Sequence, residues 1–310
     1  MMSETPGNWV LAVHGGAGQM TRDRLSAEED AGARAGLAAA LHAGSAVLAA
    51  GGSALDAVEA AVRVLEDDPH FNAGRGAVLT YDGGVSLDAA IMAGDGQRAG
   101  AVAGVGTVRH PVSLARRVMT TPHVMLSGAG AEQFAREQGL EAAEPGWFEI
   151  PRRCQQLEEM KARGDGWFDE EMKFGTVGAV ACDAGGRVAA ATSTGGITAK
   201  RWGRIGDTPI IGAGTWADGV CAVSATGSGE YFIRAGVCHQ IAARIALAGE
   251  APAQAATTAL AEVAKMGGSG GVIVVTPSRD ALWHFNTAGM FRGVAGSDGA
   301  RRVAIYGDEG

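Results

Sequence analysis

Paired cysteines and basic clusters are both missing from this 310-residue sequence. Its four cysteines, Cys154, Cys182, Cys221 and Cys238, form no CxxC pair and have no regular spacing. Neither a zinc site nor a disulfide framework is therefore expected, and the thiols are interpreted as reduced. The formal net charge is −8, and no stretch is rich in lysine or arginine. This charge pattern argues against nucleic acid and anionic membranes as partners.

Long hydrophobic runs are missing as well. The first residues, MMSETPGNWVLAVHGG, contain no basic segment followed by a long apolar stretch, so no signal peptide is expected. The apolar stretch Ala31–Ala50 contains Arg34 and His42, which favours a packed helix over a membrane span. With 46% hydrophobic and 19% charged residues, the sequence is typical of a soluble globular protein, and the cytoplasm is its expected location.

The distribution of apolar residues and glycines predicts a protein with both helices and strands. Glycine is abundant, at 49 residues, and clusters between short apolar runs, as in tight turns. Strands are predicted at Trp9–His14, Ala77–Tyr81, Val85–Met92, Ala101–Val108 and Val124–Ser127, and in two hairpins, Val177–Thr192 and Val272–Phe285. Helices are predicted at Ala31–Ala50, from Ser53 to Asp67, after Pro111, at Glu230–Ala248 and at Pro252–Lys265. The pattern favours two layers of sheet covered by helices, and the charged segment Gln155–Phe174 is interpreted as a mobile linker.

The segment FGTVGAV places a threonine, Thr176, at the start of a strand directly after this linker. Taken alone, it is more typical of an ordinary strand threonine after a turn glycine. The following hairpin turns at Gly185, which lies nine residues from both Thr176 and Thr194. In a regular hairpin the two threonines face each other, although a bulge would change that register. Thr176 is therefore a candidate nucleophile, with Thr194 as its hydrogen-bonding partner.

A threonine hydroxyl needs a base to act as a nucleophile. The sequence has neither a Ser-His-Asp spacing nor an HExxH motif. Cleavage of the chain before Thr176 would free an α-amine, whose pKa of about 8 suits a general base near neutral pH. Gly175, the preceding residue, would tolerate the strained backbone that such a self-cleavage requires.

Two further segments carry candidate binding groups. GRIGD sets Arg204 and Asp207 three residues apart, either as a local salt bridge or as a clamp for an α-carboxylate and an α-ammonium. ATGSGE places Thr226 and Gly227 just before a predicted helix. This second segment is either an ordinary helix cap or an oxyanion hole, in which a hydroxyl and an N–H group stabilise developing negative charge.

These segments together resemble the plant-type asparaginases, also called isoaspartyl peptidases, which are N-terminal-nucleophile hydrolases. The resemblance covers nearly the whole chain. It is carried by HGGAG, LEDDPHFNAGRGAVLT, LDAAIM with GAVAGV, GTVGAVACDAGGRVAAATSTGGITAK, GRIGDTPIIGAG and ATGSGE.

The resemblance implies an α+β fold, a four-layer αββα sandwich forming one structural domain. It also implies self-cleavage between Gly175 and Thr176 into an α subunit, residues 1–175, and a β subunit, residues 176–310. The αβ pairs are expected to assemble as a dimer. The linker, about 155–175, would then be the C-terminal segment of the α subunit.

The same resemblance implies roles for individual residues. The catalytic residues are Thr176, Thr194, Thr226 and Gly227, the substrate-binding residues are Arg204, Asp207, Gly227 and Gly229, and Asn72 orders the nucleophile. No organic cofactor is implied. A structural sodium ion is implied, held by the backbone carbonyls of Leu65, Glu66, Asp68, Phe71, Ala73 and Arg75.

The expected reaction is hydrolysis of the side-chain amide of L-asparagine and of isoaspartyl dipeptides, through a β-aspartyl ester on the enzyme. The sequence leaves the balance between the two substrates open. A glycosylasparaginase is the alternative, but those enzymes usually carry aspartate where Gly175 stands and lack a comparable HGGAG segment. An inactive homologue is a second alternative. A nucleotide-binding module is rejected, because no helical pattern follows the GxGxxA match at Gly212–Ala217.

Overall fold

A computed structural model describes residues 7–144, 146–163 and 175–309. Its helices are α1 (Ala27–Ala49), α2 (Ala54–Asp67), α3 (Pro111–Val118), α4 (Gly128–Glu137), α5 (Pro151–Arg163), α6 (Gly229–Ala235), α7 (Val237–Ala248) and α8 (Pro252–Lys265). Its strands are β1 (Val10–Gly18), β2 (Leu87–Ala93), β3 (Ala99–Val105), β4 (Met125–Ser127), β5 (Val177–Cys182), β6 (Val188–Thr194), β7 (Thr215–Ala217), β8 (Ala222–Gly227), β9 (Gly270–Val275), β10 (Ala281–Phe285), β11 (Gly289–Gly296) and β12 (Arg301–Tyr306). Short 3₁₀ turns lie at Gly74–Gly76 and Asp95–Gln97.

The strands form two sheets. An eight-stranded sheet has the order β12-β11-β1-β5-β6-β2-β3-β4, and a four-stranded sheet has the order β10-β9-β8-β7. Neighbours pair antiparallel except β3 and β4, which are parallel. Strands β1 and β5 lie side by side in the middle of the larger sheet, so the start of β5 is surrounded by other elements.

Three apolar clusters hold these elements together. Helices α1 and α2 pack on the larger sheet through the cluster that contains Leu37, Val58 and Leu11. Strands β1, β5 and β6 contact β8 and β9, and the cluster between the sheets contains Val180 and Ile273. Helices α7 and α8 cover the smaller sheet through a further cluster. Because alanine and valine dominate these strands, the two sheets can approach closely.

Most of the predicted elements are confirmed. Helix α2 begins after Ser53, whose hydroxyl accepts the Asp56 N–H, and α3 begins at Pro111. Both predicted hairpins form, as β5–β6 and β9–β10. The predicted helix Glu230–Ala248 is interrupted at Gly236, whose φ of +59° is left-handed, and so becomes α6 and α7.

One prediction is wrong, and a second is contradicted over the part of its range that the structure describes. Ala77–Tyr81 is not a strand, because its backbone bonds go to isolated partners: Val78 N–H donates to the Asn72 side chain, and Tyr81 N–H donates to the Lys200 carbonyl. The expected mobile linker Gln155–Phe174 is helical up to Arg163, since it continues α5. That helix buries Arg153, Leu157 and Met160 at helical spacing. Residues 164–174 lie outside the described residues.

No helix among the described residues is both long and apolar enough to cross a membrane.

Candidate active site

The β5–β6 hairpin brings the two predicted threonines together. Val177 pairs with Ser193, so Thr176 and Thr194 are opposite each other one step further along the ladder. Their Oγ atoms are 2.9 Å apart, within hydrogen-bonding distance. The Thr194 hydroxyl also accepts the Gly196 N–H at 3.0 Å. The expected register is confirmed, and the two hydroxyls can form a hydrogen bond in which either oxygen is the donor.

Gly175, the residue before Thr176, occupies a space that admits no side chain. Its φ is +114°, and a Cβ atom there would overlap the Asn72 amide. On the other side lies Gly16, also left-handed, where a Cβ atom would overlap the Gly175 backbone. The Asn72 N–H donates to the Gly175 carbonyl at 2.9 Å. The peptide bond before Thr176 is therefore held on both sides, with its carbonyl oxygen polarised by a hydrogen bond.

Asn72 links this peptide to the end of β6. Its side-chain amide donates to the Gly196 carbonyl at 2.7 Å, and its carbonyl oxygen accepts the Val78 N–H at 2.9 Å. Its backbone carbonyl accepts the Gly195 N–H at 2.9 Å. Its position beside Thr176 suits the predicted ordering role, which stays a prediction.

A pocket opens in front of Thr176. It is lined by Ala17, Asn72, Gly175, Thr176, Gly196, Ile197, Thr226 and Gly227. Thr226 and Gly227 reach it from the end of β8, in the smaller sheet, so the two sheets meet at this pocket. Gly227 has a φ of +149°, and a Cβ atom there would overlap the Ser269 carbonyl oxygen. Thr226 and Gly227, the residues predicted to form the oxyanion hole, thus line the same pocket as the candidate nucleophile.

Arg204 and Asp207 do not form the local salt bridge that the sequence also allowed. Instead, Arg204 Nε and Nη2 both donate to the Glu230 carboxylate, each at 2.9 Å. The guanidinium edge formed by Nη1 and Nη2 points away from this ion pair. Arg204 is thus held by Glu230, which lies in the first turn of α6 and directly follows Gly229.

Asp207 is buried, and its Oδ2 atom has no hydrogen-bond partner among the described residues. Burial raises the pKa of Asp207 to about 7, although the Arg204 charge opposes this shift. A Cβ atom at Gly229 would lie 2.9 Å from both Arg204 Nη2 and Asp207 Oδ1, so this glycine borders both charged groups. A buried carboxylate oxygen without a partner is suited to receive a cationic group.

A known protein family matches nearly the whole chain. The protein family described as "Asparaginase" matches residues 7–305.

The chain belongs to the asparaginase family.

Several relatives cover almost the full length of this family member. An isoaspartyl peptidase from Escherichia coli is 44% identical, over 98% of this chain and 98% of that protein. An isoaspartyl peptidase from Salmonella typhimurium is 46% identical, over 96% of this chain and 98% of that protein. An isoaspartyl peptidase/L-asparaginase from Mus musculus is 43% identical, over 91% of this chain and 86% of that protein.

A buried ion pair in this asparaginase-family chain was missed by the sequence analysis. Lys200 Nζ lies 4.0 Å from Asp88 and donates to the Ser86 carbonyl at 2.5 Å. Burial lowers the pKa of Lys200 and raises that of Asp88, and the opposite charge of each counters the shift of the other. The segments ITAK and LDAAIM contain these residues, but their spacing gives no sign that the two side chains meet.

The predicted sodium loop forms a partial cradle of carbonyl groups. A Cβ atom at Gly76 would lie within 3.0 Å of the carbonyl oxygens of Asp68, Pro69 and Phe71. Carbonyl oxygens are suitable ligands for a hard cation. Asp68 and Phe71 were predicted ligands, whereas Pro69 was not. The described residues contain no cluster of histidine, cysteine, aspartate and glutamate that could hold a transition metal.

Proposed function

We propose that this family member is an L-asparaginase and isoaspartyl peptidase that uses Thr176 as an N-terminal nucleophile. The observation that carries the proposal is the 2.9 Å contact between Thr176 and Thr194 in a pocket that Thr226 and Gly227 also line. The names of the full-length relatives support the same activity. The packing of helices on the outer face of each of two stacked sheets supports a four-layer αββα sandwich.

Activation begins with self-cleavage between Gly175 and Thr176. Thr176 Oγ attacks the Gly175 carbonyl carbon, the peptide C–N bond breaks, and the acyl group moves from nitrogen to oxygen as an ester. Water then hydrolyses that ester, releasing the Gly175 carboxylate and restoring the hydroxyl. The Asn72 N–H, 2.9 Å from the Gly175 carbonyl oxygen, supports this step by stabilising negative charge on that oxygen.

Turnover uses the newly freed α-amine of Thr176 as the base. The amine takes the hydroxyl proton while Oγ attacks the side-chain carbonyl carbon of the substrate. Thr226 Oγ–H and Gly227 N–H stabilise the resulting oxyanion. Ammonia or an amino acid leaves with the proton, and water then hydrolyses the β-aspartyl ester to release aspartate.

The clamp, defined as Arg204, Asp207 and Glu230, recognises the free α-groups of the aspartyl unit. Asp207 Oδ2 receives the α-ammonium. The Nη1–Nη2 edge of Arg204 receives the α-carboxylate, because Glu230 occupies the Nε–Nη2 edge. An aspartate inside a peptide chain would leave either the partly buried Arg204 or the buried Asp207 unpaired, at a cost of about 1–3 kcal/mol.

The sodium ion, the quaternary structure and the location of the protein are further parts of the proposal. A sodium ion on the carbonyls of the cradle around Gly76 would hold the loop between α2 and Asn72 in place. A dimer of αβ pairs is proposed from the family resemblance, and a cytoplasmic location is proposed from the sequence pattern.

A comparison of three substrates tests the proposed activity. Purified protein is incubated separately with L-asparagine, a β-aspartyl dipeptide and a glycosylated asparagine, and release of aspartate is measured. We expect turnover of the first two. Turnover of the glycosylated substrate alone would favour the glycosylasparaginase alternative, and no turnover by fully cleaved protein would favour an inactive homologue.

A further inference from the structure

A chain of buried polar side chains connects the two sheets and ends on the backbone of Thr176. His14 Nδ1 lies 3.0 Å from the Thr176 carbonyl oxygen, and His14 Nε2 lies 2.8 Å from Ser224 Oγ. Ser224 Oγ is 2.7 Å from Thr192 Oγ, which is 2.7 Å from Thr215 Oγ. These four side chains (His14, Ser224, Thr192 and Thr215) are here called the polar chain. All four residues are completely buried.

The proton positions nearest Thr176 follow from the Thr176 carbonyl, at which the polar chain ends. A carbonyl oxygen can only accept, so His14 Nδ1 must carry the proton that binds Thr176. Burial lowers the pKa of His14 to about 3, so the ring is neutral and Nε2 must accept. The Ser224 hydroxyl therefore donates to His14, which leaves the Ser224 oxygen to accept from Thr192.

The next two hydroxyls each have a choice of acceptor. Thr192 Oγ lies 2.7 Å from Ser224 Oγ and 3.1 Å from the Gly214 carbonyl oxygen, and Thr215 Oγ lies 2.7 Å from Thr192 Oγ and 3.2 Å from the Thr208 carbonyl oxygen. In each case the shorter contact runs toward Thr176. Hydrogen bonds aligned in this way polarise one another, which strengthens the final bond from His14 to the carbonyl.

A glycine makes room for this arrangement. On β5, Gly178 pairs with His14 of β1 on one side and with Thr192 of β6 on the other. A Cβ atom at Gly178 would overlap both Ser224 Oγ and His14 Nε2. The space without a side chain lets Ser224, from the opposite sheet, enter between His14 and Thr192. A bulge just after His14, between β1 and β11, accompanies this placement.

We infer that His14 is a positioning residue: through the polar chain it anchors the Thr176 carbonyl and so fixes the direction of the Thr176 amine and hydroxyl. The inference rests on the proposed function, in which Thr176 is the nucleophile. Before cleavage, Thr176 is also held through Gly175, whose carbonyl is bonded to Asn72. After cleavage that covalent tether is lost, and the carbonyl anchor matters more. Loss of His14 should therefore reduce turnover more than self-cleavage.

The test compares two variants of one side chain in the purified, self-cleaved enzyme. His14→Leu removes the donor to Thr176, whereas His14→Asn puts an amide N–H close to the position of Nδ1. We expect His14→Leu to lower kcat for a β-aspartyl dipeptide about 10–100-fold, as for loss of a buried hydrogen bond, with KM changed less than about twofold. His14→Asn should recover kcat to within about fivefold of the wild-type enzyme.

A milder variant covers the case in which His14→Leu does not fold. Ser224→Ala removes the proton donor to Nε2, and we expect about a threefold to tenfold fall in kcat at unchanged KM. Ser45→Ala is the matched control, because Ser45 is buried in α1 and its hydroxyl has no hydrogen-bond partner among the described residues. It should leave kcat unchanged.

The inference is overturned by wild-type kcat in Ser224→Ala or in folded His14→Leu. The inference is also overturned if both His14 variants have a lower kcat, a higher KM and a lower melting temperature. That result would indicate a purely structural role for His14. Thr176→Ala in the same assay separates this failure from failure of the proposed function. Activity in Thr176→Ala would refute the assignment of Thr176 as the nucleophile, and with it the proposed function. An inactive Thr176→Ala together with wild-type kcat in His14→Leu would reject only the inference about His14.

Discussion

The pocket around Thr176 and the proposed clamp differ in the kind of group they contain. Around Thr176 the groups are neutral hydroxyls and backbone amides at the ends of strands. The clamp consists of charged side chains in a loop and at the start of α6. An amine base that must lose its proton near neutral pH is best placed away from fixed charges, which would shift its pKa. Recognition of a zwitterion requires opposite charges, which Arg204 and Asp207 would supply. The division predicts that changes near Thr176 affect kcat and that changes in the clamp affect KM.

The largest effect is expected at the nucleophile. Thr176→Ala should abolish self-cleavage and lower turnover by about 10⁴-fold or more, because both steps use the same hydroxyl. Thr176→Ser keeps a hydroxyl and should retain part of both activities. Gel electrophoresis and ammonia release from asparagine measure the two effects. Undiminished ammonia release by Thr176→Ala would refute the assignment of the nucleophile.

Arg204→Lys should separate recognition from chemistry. Lysine keeps the charge but cannot bind Glu230 and a carboxylate through two flat edges at once. We expect KM to rise about 10–100-fold, while self-cleavage stays complete because it involves no free α-carboxylate. The matched control is Arg201→Lys, since Arg201 lies nearby and stacks on Tyr81 at 3.5 Å. Loss of self-cleavage in step with turnover would indicate that Arg204 is structural.

The pH dependence of kcat/KM should report the titration of both the Asp207 carboxyl and the Thr176 amine. Asp207 binds an ammonium only when ionised, and its pKa is raised to about 7 in the substrate-free protein. The Thr176 amine acts only when unprotonated, with a usual pKa of about 8. As pH falls below 7, kcat/KM should therefore decrease about 100-fold per pH unit, since two groups must lose protons. In Asp207→Asn the decrease should be about tenfold per unit. A slope unchanged by that substitution would place Asp207 outside substrate binding.

Glu230→Gln should give the smallest of these effects. The amide keeps the shape of the side chain but weakens its hold on Arg204, so we expect KM to rise about threefold to tenfold at unchanged kcat. The Glu230 charge helps to raise the pKa of Asp207, so its removal should also shift the acid limb of kcat/KM to lower pH. A shift to higher pH, or a fall in kcat with KM unchanged, would contradict the assigned geometry.

Local patterns in the sequence predicted the hairpin and the contact between its threonines. The turn at Gly185 and the two-residue period of a strand fix which residues face each other, so Thr176 and Thr194 could be paired without a structure. Contacts between distant segments could not be predicted in this way. Glu230 lies 26 residues from Arg204, and only the folded chain shows that they pair.

The failure at Ala77–Tyr81 has a related cause. Its apolar residues suggested a strand, but its N–H groups find the Asn72 side chain and the Lys200 carbonyl, which no strand pattern reveals. His14 was recognised only as part of the HGGAG segment. Its bond to the Thr176 carbonyl spans 162 residues and depends on the space left by Gly178. Long-range placement of this kind follows from packing, not from local sequence.

The central claim is that the active enzyme begins a new chain at Thr176, and intact-mass spectrometry of the purified protein tests it most directly. The account predicts two fragments, residues 1–175 and 176–310, that appear without added protease and together account for the 31.4 kDa chain. It further predicts that aspartate release rises in proportion to the cleaved fraction. A single uncleaved chain that hydrolyses asparagine at full rate would contradict it.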